Sequence, residues 1–67
     1  MSDSARTFQT RMIKNFPEHA VVDAGGAELA RAHCVNVPAN LFTLIIGGRW
    51  SGVAPEATVV AKMKAML

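Results

Sequence analysis

Residues 27–50, AELARAHCVNVPANLFTLIIGGRW, decide how this chain is read. The first seven residues are good helix formers, with Glu28 in the first turn where it suits the helix dipole. Pro38 then stands where a second helix opens, after Asn36 and Val37. Leu41, Leu44 and Ile45 fall on one face at spacings i, i+3 and i+4, and Gly47-Gly48 supplies the left-handed end of a helix. The stretch therefore predicts two short helices joined by a tight turn, over about residues 27–46.

The flanks extend the pattern. Asp3 or Ser4 suits the cap of a first helix whose Phe8, Met12 and Phe16 recur every four residues, and Pro17 stops it. Residues 18–26 form a linker with the apolar Ala20-Val21-Val22 tucked under the core. Pro55 opens a last helix, about residues 55–67, whose Val59, Val60, Met63, Met66 and Leu67 make an apolar arc. The expected architecture is one all-α domain, residues 1–67, a compact bundle of about four short helices.

A strand reading competes with it. Residues 20–24 and 27–37 can pair across Gly25-Gly26 as a hairpin, and residues 41–46 can form a buried strand. Ala27, Glu28, Leu29, Ala30, Arg31 and Ala32 are poor strand formers and favour the helices.

Composition limits the function. Sixty-seven residues make one domain with a small core. An apolar fraction of 51% and a mean hydropathy of +0.24 leave apolar surface without an internal partner, which points to association. A net charge of +2 permits nucleic-acid binding without demanding it. Cys34 is the single cysteine, so no disulfide closes within the chain. No signal-peptide pattern and no stretch of membrane-spanning length is present, and a cytoplasmic protein is expected.

Leu29-Ala30, Cys34-Val35, Leu41, Leu44-Ile45 and Gly47-Gly48-Arg49-Trp50 together resemble the helix-turn-helix domains of small bacterial and phage repressors and DNA-invertase-like proteins. Cys34 stands where that family prefers glycine, and the interval from Val35 to Leu41 is one residue longer. The resemblance implies a transcriptional regulator that binds duplex DNA as a homodimer. Asn36, Asn40 and Thr43 would then face bases, and Arg31 and Arg49 would hold phosphates. Ala57, Ala61 and Ala65 form a small-residue stripe on the last helix that suits the dimer contact. The alternative is a small interaction or assembly module without nucleic acid, with Phe42 and Ile46 as apolar anchors in a protein partner.

Catalysis and metal binding find little support. His33-Cys34, with His19 and Asp23 upstream, matches no zinc spacing, and neighbouring residues rarely make a Cys–His nucleophile pair. The two glycine pairs lack the lysine and spacing of a phosphate loop. Neither an enzyme nor a cofactor is expected.

Overall fold

The computed structural model describes residues 5–67. It is a five-stranded antiparallel meander followed by a helix: β1 Thr7–Ile13, β2 Phe16–Val22, β3 Glu28–Asn36, β4 Leu41–Ile46, β5 Arg49–Pro55 and α1 Glu56–Lys64. Strand order across the sheet follows the chain, so β1 and β5 are the two edges. The all-α bundle is overturned. The helix-turn-helix at residues 27–46 is instead a β3–β4 hairpin, and the expected first helix is β1 with its turn into β2. Its proposed caps, Asp3 and Ser4, lie outside the described residues.

Turn chemistry explains the difference. Gly47 and Gly48, at φ 59° and 80°, form a two-residue turn between Ile46 and Arg49 rather than a helix end. Two consecutive left-handed residues twist as flanking strands do, which makes this the preferred hairpin connection. Lys14 and Asn15, at φ 51° and 72°, do the same between Ile13 and Phe16. Pro38 lies in the β3–β4 turn instead of opening a helix. There Asn36 Oδ1 accepts the N–H of Ala39, and Asn40 takes φ 54°. Asp23 Oδ1 accepts the N–H groups of Gly25 and Ala27 and shapes the β2–β3 loop.

The alanines that favoured a helix serve packing. Ala30 and Ala32 are 2% and 0% exposed on the face that receives α1, where Val59 and Met63 complete the core with Val21, Phe42 and Leu44. A small side chain lets the helix approach the sheet, and this tertiary demand outweighs intrinsic strand propensity. The spacing of four that suggested a stripe on the first helix equally places Phe8 and Met12 on one strand face. Of the expected C-terminal arc, Val59 and Met63 are buried, Met66 packs against the core and Leu67 is exposed. No helix is long and apolar enough to cross a membrane among the described residues.

Candidate interaction surface

The helix covers one face of the sheet and leaves the other open. Strand register carries a row straight across that open face: Arg11, Glu18, His33, Thr43 and Val53 are successive cross-strand partners on β1 to β5. Arg11 Nη2 donates to Glu18 Oε1 at 2.8 Å, and His33 Nδ1 lies 3.5 Å from Glu18 Oε2. Trp50 Nε1 donates to Thr43 Oγ1 at 2.9 Å, so the indole lies on the same face. The Glu18 carboxylate and Thr43 hydroxyl are thus buried on a face that no other element covers among the described residues.

The face also carries exposed apolar side chains. Trp50 is 70% exposed, and Ile13, Phe16 and Val53 are each about half exposed. The two arginines of this face are already matched. Arg11 pairs with Glu18, and Arg31 pairs with Glu28 at 2.8 Å, whose hydrogen bond and charge hold the guanidinium pKa above its ordinary value. A cleft of about 220 Å³ opens at the β1–β2 end, lined by Ile13, Lys14, Phe16, Pro17, Glu18, His33 and Cys34. A second of similar size lies toward the opposite end, beside Glu28, Arg31, Ile45 and Gly48.

A different cluster lies under the helix. His19 is 5% exposed and stacked between Phe8 and Phe42, with ring centroids 5.5 Å away on each side. Its Nε2 is 2.7 Å from Glu56 Oε2 and its Nδ1 is 2.9 Å from Thr10 Oγ1. A carboxylate only accepts, so Nε2 carries the hydrogen of that bond, while Nδ1 and the Thr10 hydroxyl share the other. Hydroxyl, imidazole and carboxylate therefore stand in the order of an activated nucleophile. Neither cleft touches Thr10, however, and both ring nitrogens of His19 are used in joining β1, β2 and α1. The cluster is a clamp. Lys64 adds to it from the helix, its Nζ 5.3 Å from the Phe8 ring centroid.

The residues expected to bind DNA are dispersed. Asn36 and Asn40 shape the β3–β4 turn, Thr43 is buried beneath Trp50, Arg31 is tied to Glu28, and Arg49 is exposed at the start of β5. With β4 in place of a recognition helix, no helix end carries them toward a groove. Phe42, expected as a partner anchor, is 1% exposed in the core, while Ile46 is 38% exposed. Ala57, Ala61 and Ala65 lie on the exposed side of α1. Among the described residues, no three His, Cys, Asp or Glu side chains are placed to hold a metal ion.

As members of one surface, Ile13, Phe16, Glu18 and Val53 escaped the sequence reading, which put Phe16 on the stripe of a first helix. The signal that could have found them is Lys14-Asn15, a two-residue turn that puts Ile13 opposite Phe16 and Arg11 opposite Glu18. A comparison with family models, curated proteins and solved structures finds no match to this chain.

Proposed function

We propose that this chain is a small β-sheet assembly module that docks onto a protein surface through the open face of its sheet. The observation that carries the reading is the exposure of Ile13, Phe16, Trp50 and Val53 together on a face whose two arginines, Arg11 and Arg31, are already paired. An aromatic anchor with apolar neighbours and satisfied polar groups is the composition of a protein contact. Phosphate binding needs free cations, and Arg11 and Arg31 are engaged with carboxylates. That distinction favours protein over nucleic acid.

Site-specific photo-crosslinking in cells tests it. A photoreactive residue at Gln9, on the open face, is expected to give discrete protein adducts that Phe16→Glu abolishes. The same group at Lys62, on the helix, is expected to give none of those adducts. Equal labelling from both positions, or no adduct from Gln9, would contradict the reading.

A further inference from the structure

We infer that the occupant of the open sheet face is a second copy of this chain, packed face to face, with Trp50 of each copy seated in the cleft of the other between Ile13, Phe16 and His33. The inference rests on the docking role of that face and specifies its partner.

Three observations carry it. First, the knob shares a face with four residues that line the hole, Ile13, Phe16, Glu18 and His33. Trp50 bonds to Thr43, Thr43 is the cross-strand partner of His33, and His33 lies beside Glu18 on the cleft wall. The indole stands on the β5 flank and the cleft on the β1–β3 flank. A two-fold axis lying along the face midway between them brings both insertions about at once, as an isologous contact requires.

Second, size fits. The cleft holds about 220 Å³, small for a ligand pocket of roughly 300–1,000 Å³ but adequate for one large side chain. Its exposed apolar walls, Ile13 and Phe16, suit an indole. Trp50 keeps one hydrogen bond to Thr43 and exposes 70% of its surface, so it is oriented before contact and loses little freedom on binding.

Third, the area suffices. Five strands at ordinary spacing and rise make a face about 24 Å by 20 Å, or roughly 500 Å² per copy. Two such faces bury about 1,000 Å², the lower bound for a specific interface. Stacking would bury Ile13, Phe16, Trp50 and Val53 while leaving the Arg11–Glu18 and Arg31–Glu28 pairs intact, so neither pair loses its partner.

Trp50 is the only tryptophan, so its emission reports the contact directly. The full chain is followed by sedimentation equilibrium and by fluorescence across one dilution series. The expected result is a monomer–dimer transition with a blue shift of Trp50 emission over the same concentration range. Phe16→Ser, which lines the cleft and leaves the fluorophore in place, is expected to weaken dimerisation at least ~10-fold. Ala61→Glu, on the outer side of α1, is expected to leave it unchanged. Circular dichroism of both variants verifies the sheet, and the wild-type emission series tests the contact without any variant. A monomer at all concentrations overturns the inference. So does a dimer in which Trp50 emission stays that of an exposed indole, or one that Ala61→Glu dissolves. If the chain is monomeric while Gln9 adducts to other proteins persist, the second copy is excluded and the docking role stands.

Discussion

His19 Nε2 lies 2.7 Å from Glu56 Oε2 and fastens the second strand to the start of the helix. The same ring is stacked between Phe8 of β1 and Phe42 of β4, so one buried side chain joins three strands and α1. Removing the carboxylate leaves a buried N–H without its partner. Glu56→Ala is expected to cost ~1–3 kcal/mol in urea denaturation, and Glu56→Gln, which can still accept through its amide oxygen, less than that. Equal stability of wild type and Glu56→Ala would show that the helix is held by apolar packing alone.

The floor under the helix is built from small side chains. Ala30→Leu or Ala32→Leu places a branched side chain between the sheet and Val59 or Met63, and is expected to cost ~1–3 kcal/mol through overpacking. Thermal melts of the two variants measure it. An unchanged midpoint in both would mean that the helix does not press on this part of the sheet.

Truncation from the helix side should cost still more. Met63 is fully buried, and Met63→Ala is expected to destabilise by ~2–5 kcal/mol. Met12 is 66% exposed on an edge strand, and Met12→Ala should stay within about 0.5 kcal/mol of wild type. Denaturant midpoints at equal slope separate the two.

The tight turns give predictions of opposite sign. Gly48, at φ 80°, takes a backbone that β-branched residues avoid, so Gly48→Val is expected to cost at least ~1–2 kcal/mol. Lys14 already occupies the left-handed region, at φ 51°. Lys14→Gly removes that strain at an entropic cost of roughly 0.5–1 kcal/mol and should leave the hairpin as stable or slightly more so. A strongly destabilised Lys14→Gly would mean that this turn is not left-handed.

These turns also show where the sequence was readable. The punctuation at Gly25-Gly26, Pro38, Gly47-Gly48 and Pro55 falls at or beside real boundaries, and the helix from Glu56 was visible in the spacing of Val59 and Met63. The elements between the breaks were not. Gly47-Gly48 serves equally to end a helix or turn a hairpin, and Leu41 to Ile46 is too short for periodicity to decide. Ala27 to Ala32 has helical propensity, and only the later arrival of Val59 and Met63 explains small residues on a strand. A long-range demand of that kind has no local signature.

The candidate surface followed the same division. Excess apolar composition led to the expectation of association, but where exposed apolar side chains gather depends on register. Arg11 and Glu18 meet only because Lys14-Asn15 reverses the chain in two residues. Phe42 and Thr43, adjacent in β4, point to opposite faces, one into the core and the other under Trp50. A helical reading of β4 could not separate them.

The central claim is that assembly buries the open face of the sheet. Paramagnetic relaxation by a soluble, neutral gadolinium chelate tests it most directly, read residue by residue by NMR at low and high protein concentration. Phe16, His33, Trp50 and Val53 are expected to lose their relaxation enhancement as concentration rises, while Ala57, Ala61 and Lys62 keep theirs. Protection along Ala57, Ala61 and Ala65 with Trp50 still accessible would place the contact on the helix and contradict the account.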